Sequence, residues 1–301
     1  MSPPEIERRF IRANDIRLHC ALAGPEEPPG RGTVLLLHGF PEFWFGWRRQ
    51  IPALAPQWRV VAPDLRGYNF SDKPEGPEHY RMRSLVGDVI GLMDALGERR
   101  LTLVGHDWGG AVAWAVAAFQ PERIEKLIIL NAPHPTLFAR DVRARPEQQA
   151  ASQYMHLLRS DRAEEVLLRD DCRLLKKFVF ETMADPTSLS ETERAEYVRA
   201  WTQPGAIRAS TNYYRAMPAP PPDLSQSPPS TGQTEQPPPV LISVPTLVIW
   251  GMRDTALLPS LLDGLEALVP ALTLRRLPEA THWVQHDQPD EVNRLILDFL
   301  G

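Results

Sequence analysis

The residue that most constrains the chemistry of this chain is an aspartate. In Leu103-Val104-Gly105-His106-Asp107-Trp108-Gly109-Gly110 an apolar run ends, glycines stand two residues either side of Asp107, and a helical period begins. This is the spacing of a nucleophile elbow, a tight strand-to-helix turn that strains its central residue and lifts that side chain clear of the sheet. Side chains at the flanking glycines would collide with the neighbouring strand and helix. The turn also sets its central residue near a helix N-terminus, which favours an anion. Serine is a common occupant, and a carboxylate there changes the chemistry. Attack on an ester or amide carbonyl would yield an unfavourable anhydride, whereas attack on a saturated carbon bearing a leaving group yields an ordinary ester. Asp107 therefore points to epoxides or alkyl halides and away from esters and peptides. Hydrolysing the resulting ester needs a general base that titrates near neutrality, and histidine suits that task. The chain has eight histidines.

The elbow resembles that of the α/β-hydrolase superfamily and, with aspartate at its centre, that of its epoxide hydrolase branch. The likeness runs along nearly the whole chain. His38-Gly39-Phe40-Pro41 is similar to the family's oxyanion loop, in which the peptide before the proline is commonly cis. The resemblance implies that the backbone N–H groups of Phe40 and Trp108 polarise the ester carbonyl. Asp64-Leu65-Arg66-Gly67-Tyr68-Asn69-Phe70-Ser71 is similar to a second signature, normally Gly-Tyr-Gly-x-Ser. Asn69 departs from the usual glycine, but asparagine is the next most tolerant of positive φ.

The same resemblance sets the base in a loop before the last helix. Thr281-His282-Trp283-Val284-Gln285-His286-Asp287-Gln288-Pro289 fits, with His282 at the motif position. His286 reads as a surface or loop residue, and His38 and His106 as turn-stabilising residues within the loop motifs. The orienting acid is expected at a strand end, and Asp254 follows the apolar run Leu247-Val248-Ile249-Trp250. In the family this carboxylate holds the imidazole in its working tautomer. The chain order Asp107, Asp254, His282 is the one this fold requires. Some relatives take the acid from the strand end that Asn131 occupies here; an asparagine cannot serve.

Opening an epoxide releases an alkoxide, for which a tyrosine phenol is a suitable proton donor. Epoxide hydrolases of this branch carry two such tyrosines on an inserted cap. Ser152-Gln153-Tyr154-Met155 sits where the first is expected, and Asn212-Tyr213-Tyr214-Arg215 resembles the Asn-x-Tyr-Arg signature of the second. That choice selects Tyr214 over Tyr213, since helix neighbours point about 100° apart. The alternative is a haloalkane dehalogenase with the same nucleophile. Trp108 suits a halide donor, but the second donor in many dehalogenases is an asparagine where Phe40 stands. A non-catalytic, ligand-binding member of the fold is a third reading, which the intact nucleophile, base and acid disfavour.

The elements that must position these residues alternate between β-rich runs and helical periods. The pattern predicts an α/β fold with a mostly parallel sheet flanked by helices. Apolar runs at Thr33 to Leu37, Arg59 to Ala62, Leu101 to Val104, Leu127 to Leu130 and Pro245 to Trp250 read as strands covered on both faces. Phe10 to Leu22 reads as a hairpin turning near Asn14-Asp15. Core helices are expected over Ser84 to Leu96, Trp108 to Phe119 and Glu291 to Leu300. From 135 to 217 strand signals stop, and helices are expected over Gln148 to Leu158, Arg162 to Glu181 and Ile207 to Ala216. A further helix starts at Ser190, whose spacing to Glu193 is that of a capping box. This divides the chain into core (1–134), helical cap (135–217), proline-rich linker (218–239) and core (240–301). The linker is too poor in large apolar side chains to offset the entropy of ordering, and reads as exposed and partly extended.

Bulk properties exclude other classes. The net charge is -5, so no broad basic field attracts nucleic acid or anionic lipid. Cys20 and Cys172 are too few and too far apart for a disulfide scaffold or a metal site, which favours a reducing compartment. With neither a signal-like N-terminus nor a long apolar run, a cytoplasmic location is expected. The expected reaction turns a small-molecule epoxide and water into a vicinal diol, through an ester on Asp107. It requires no metal or organic cofactor. Whether the chain forms a homodimer is left open.

Overall fold

The computed structural model describes residues 4–26, 31–225 and 238–301. Two antiparallel strands, β1 (Glu7–Ala13) and β2 (Ile16–Ala23), open the chain through a turn at Asn14, whose φ is +55°. The five apolar runs then become β3 (Thr33–Leu37), β4 (Arg59–Pro63), β5 (Leu101–His106), β6 (Ile124–Leu130) and β7 (Thr246–Gly251). Every residue of β3, β5 and β7 is buried, as expected of strands covered on both faces. The sheet has an eighth strand, β8 (Leu272–Leu277), and its order is β1-β2-β4-β3-β5-β6-β7-β8. Among the described residues, only β1 with β2 and β2 with β4 pair antiparallel. The sequence reading missed β8 because it is a half-exposed edge strand, and Arg275 and Arg276 break its apolar run.

Helices α1 (Ile51–Leu54), α2 (Met82–Ala95) and α3 (Asp107–Phe119) belong to the first half of the core. α3 follows β5 without a linking residue, and Trp114 on it is fully buried, with its indole N–H donating to Ala132 O at 3.1 Å. Between β6 and β7 come α4 (Pro135–Ala144), α5 (Pro146–Ala151), α6 (Tyr154–Arg159), α7 (Ala163–Phe180), α8 (Glu191–Trp201) and α9 (Ala206–Arg215). They lie over the C-terminal ends of β3 and β4: Tyr197 of α8 donates to Glu42, and Tyr213 of α9 donates to Arg66 O at 3.0 Å. α10 (Val284–Asp287) and α11 (Pro289–Leu300) close the chain.

Two expectations for the inserted helices are refined and one is met. The predicted helix over Gln148 to Leu158 is two, broken at Ser152 and Gln153, where neither glycine nor proline signals an interruption. The predicted helix over Arg162 to Glu181 turns left-handed at Asp170, Asp171 and Cys172, and the two aspartates, tolerant of that region, are the only local hint. The α8 start forms the expected capping box, Ser190 accepting from Glu193 N while the Glu193 carboxylate accepts from Ser190 N. Of the predicted linker, residues 226–237 lie outside the described residues. Among the described residues, no helix is long and apolar enough to cross a membrane.

Candidate active site

The turn from β5 into α3 puts Asp107 in the left-handed region, at φ +50°, which costs a non-glycine residue free energy that the surrounding packing must offset. The glycines around it are steric necessities. A Cβ on Gly105 would lie 2.5 Å from Gly109 O, and one on Gly109 would lie 2.2 Å from Leu37 O. A Cβ on Gly39 would meet Asp107 itself, 2.5 Å from Oδ1, so this glycine makes room for the carboxylate. The Phe40–Pro41 peptide is cis, and the Phe40 N–H donates to Asp107 Oδ1 at 2.7 Å. Trp108 follows Asp107 in the first turn of α3, whose N–H groups lack acceptors within the helix. His38 ties the turn after β3 to the one after β4: its Nε2 accepts from Leu65 N at 2.9 Å.

Asp107 at the start of α3, Asp254 in the loop after β7 and His282 in the loop before α10 come together. His282 Nδ1 donates to Asp254 Oδ2 at 2.7 Å, and its Nε2 stands 3.6 Å from Asp107 Oδ2. Asp254 is buried and fully engaged. Its Oδ1 accepts from the N–H groups of Ala256 and Leu257, both at 2.9 Å, and its Oδ2 also accepts from Asn131 Nδ2 at 2.8 Å. Burial works to raise this carboxyl, but the charge of His282 and these hydrogen bonds hold it below its ordinary value. Burial works to lower His282, yet the charge and hydrogen bond of Asp254, then the charges of Asp107 and Glu42, push it up to about 9. Asn131 has a use that sequence reasoning missed. Its carbonyl accepts from Gly251 N at 2.8 Å, so it ties the end of β7 to the carboxylate that follows.

The two tyrosines meet above the elbow. The Tyr214 ring lies edge-on to Phe40 at 5.3 Å and to Trp108 at 5.2 Å, with Tyr154 at 6.4 Å. Burial pushes both phenols up. The charges of Asp107 and Asp254 add to this for Tyr154, as do Tyr154 and Asp107 for Tyr214. The Tyr213 ring also lies edge-on to Trp108, at 5.4 Å, but its hydroxyl donates to Arg66 O at 3.0 Å. The Asn-x-Tyr-Arg signature has a structural use as well. Arg215 donates to Asn212 Oδ1 at 2.8 Å and to Ser160 O at 2.8 Å, while Arg159 at the end of α6 donates to Tyr214 O.

His286 corrects an expectation. It is buried, with Nε2 donating to Glu42 Oε1 at 2.7 Å and Nδ1 accepting from Arg48 at 3.1 Å. Burial lowers its pKa, in keeping with this neutral arrangement. Glu42 also accepts from Tyr197 at 2.8 Å and Gln285 at 2.9 Å, so the cluster underpins the turn that carries His282. His106 contributes from the elbow side, donating through Nε2 to His282 O at 2.9 Å. Glu42 directly follows the oxyanion motif, and the signal for it was an acid beside an otherwise apolar loop.

Comparison with known proteins agrees with this arrangement. Residues 32–289 match the model of the alpha/beta hydrolase fold family. The AB hydrolase superfamily protein YfhM of Bacillus subtilis is 39% identical over 298 residues, covering 98% of either chain. Epoxide hydrolase 4 of Mus musculus is 34% identical over 97% of this chain and 79% of its own length. Among solved structures, an epoxide hydrolase from metagenomes of hot environments superposes with a TM-score of 0.88 at 37% identity, covering 99% of either chain. The chain belongs to the α/β-hydrolase fold family, in its epoxide hydrolase branch.

Proposed function

We propose that the protein hydrolyses epoxides to vicinal diols in two steps through an ester on Asp107. The observation that carries this reading is a carboxylate at the elbow with a base 3.6 Å away and a pair of tyrosines beside it, one packed edge-on to Phe40 and Trp108. In the first step Asp107 Oδ2 attacks an epoxide carbon, the C–O bond of the ring breaks, and Tyr154 and Tyr214 hydrogen-bond and protonate the ring oxygen. The electrostatics favour this transfer. The negative charge of Asp107 is among the influences that hold both phenols up. As that charge passes to the ring oxygen, the phenols become better donors where a proton is needed.

In the second step His282, oriented by Asp254, takes a proton from water, and the hydroxide attacks Cγ of the Asp107 ester. The developing oxyanion is Oδ1, already within reach of the Phe40 N–H, with the Trp108 N–H as its second donor. Collapse breaks the bond between Cγ and the ester oxygen, and His282 returns its proton to that oxygen as the diol leaves. The remaining water proton passes from the Asp107 carboxyl to the tyrosinate, which restores the carboxylate and the phenol. On this reading residues 135–217 are a cap that supplies the phenols. The test is a panel of aryl and aliphatic epoxides beside haloalkanes, with diol and halide release measured together. Diol without halide is the expected result; halide release alone would make the protein a dehalogenase.

A further inference from the structure

The break between α5 and α6 is organised by one side chain, Gln148, whose carboxamide is fully buried and reaches two functional segments at once. Its Nε2 donates to Ala256 O at 2.9 Å and to Ser152 Oγ at 2.9 Å, and its Oε1 accepts from Leu258 N at 3.0 Å. Both donors are used. The loop it grips is the one that Asp254 organises from the other side, since Asp254 Oδ1 accepts from the N–H groups of Ala256 and Leu257. The half-buried Ala256 C=O and Leu258 N–H need partners, and the Gln148 carboxamide supplies both as a neighbouring strand would. At its other end Ser152 is buried, its C=O accepts from Met155 N at 3.1 Å, and Tyr154 stands two residues on at the start of α6.

We propose that Gln148 is a positioning residue that holds the Asp254 loop and the Tyr154 segment in one fixed relation. The inference rests on the two-step reading above and extends it. The acid that supports ester hydrolysis and a phenol that supports ring opening share a single buried joint, so loosening it disturbs both steps. Ser152 belongs to only one arm of that joint.

Single-turnover kinetics with a small aryl epoxide separate formation and hydrolysis of the Asp107 ester. Gln148→Met keeps the length of the side chain and removes its hydrogen bonds. It should slow both steps by about 10- to 100-fold, the scale of a misplacement remote from the reacting atoms. It should also lower the pH at which ester hydrolysis reaches half its maximum, because a loosened Asp254 supports the His282 proton less. Ser152→Ala should slow ester formation alone. If Gln148→Met is folded, with both rates and the pH profile of the parent, the proposal is overturned. If Gln148→Met does not fold, Ser152→Ala decides: slowing confined to ester formation supports the proposal, and equal slowing of both steps, or none, overturns it. Failure of the parent enzyme to form an Asp107 ester would instead defeat the two-step reading itself, whatever the variants do.

Discussion

The two oxygens of Asp107 have different neighbours: Oδ1 accepts the Phe40 N–H at 2.7 Å, while Oδ2 faces His282 Nε2 at 3.6 Å. On the proposed two-step reading this asymmetry would give them different fates: the tethered oxygen would become the ester carbonyl, and the other would bond to substrate carbon and leave with the diol. In a single turnover in heavy-oxygen water, the label should enter the carboxylate of Asp107 and be absent from that first diol. Mass spectrometry of the peptide and the product reads this directly; label in the diol alone would sink the ester mechanism.

Replacing the base separates the steps. His282→Gln retains the attacking carboxylate and removes the group that activates water. Turnover should fall on the order of 10²- to 10⁴-fold, with an adduct of epoxide mass accumulating on the Asp107 peptide. An intact-protein mass that stays unshifted after incubation with epoxide would contradict this.

The charged neighbours of His282 set a pH dependence. In the free enzyme the imidazole is pushed up to about 9, with the charge of Asp107 among the causes. Esterification removes that charge, so in the intermediate the imidazole titrates below about 9. Ester hydrolysis should therefore accelerate with rising pH and then level, and the adduct should build up on the acid side. Quenched-flow from about pH 5 to about pH 10 tests this, and hydrolysis fastest at the acid end would refute it. The stability consequence has a definite sign. The folded chain binds this proton more tightly than an unfolded histidine titrating near 6.5. The contribution is whole below about pH 6.5 and is lost as pH rises through about 9. The melting deficit of His282→Gln should therefore shrink over that window.

Removing the phenols should affect only ring opening. Tyr154→Phe and Tyr214→Phe should each slow ester formation, and the double variant by about 10²- to 10⁴-fold, with hydrolysis of any ester formed unchanged. Burst kinetics on an aryl epoxide distinguish this from a general loss of packing, which would slow both phases.

Asn131→Ala would leave Gly251 N without its acceptor and remove one donor from Asp254. Stranding buried polar groups costs about 1–3 kcal/mol. Urea denaturation should show a loss of that size, and a difference of only a few tenths would mean that the bridge is dispensable.

Much of the site was legible because local chain grammar marks it. Asp107 announces itself through glycines that close backbone approaches demand, and Asp254 and His282 through their places after a buried strand and before the last helix. What was not legible depends on partners distant in sequence. His286 is buried because it pairs with Glu42, 244 residues away, and nothing beside it in the chain says so. Asn131 was judged by the proton chemistry it lacks, while its value lies in two hydrogen bonds to the end of β7 and the turn after it. The interruption at Ser152 is invisible to periodicity because a buried carboxamide holds it, not a glycine or a proline.

Arg159 and Arg215 each reach across to the other's helix, one donating to Tyr214 O and the other to Ser160 O. The hydroxyls of Tyr154 and Tyr214 are thereby mounted on a single rigid bracket. On the proposed two-step reading, a displacement of either helix would carry both hydroxyls with it, so the pair would meet or miss an oxirane oxygen as one unit.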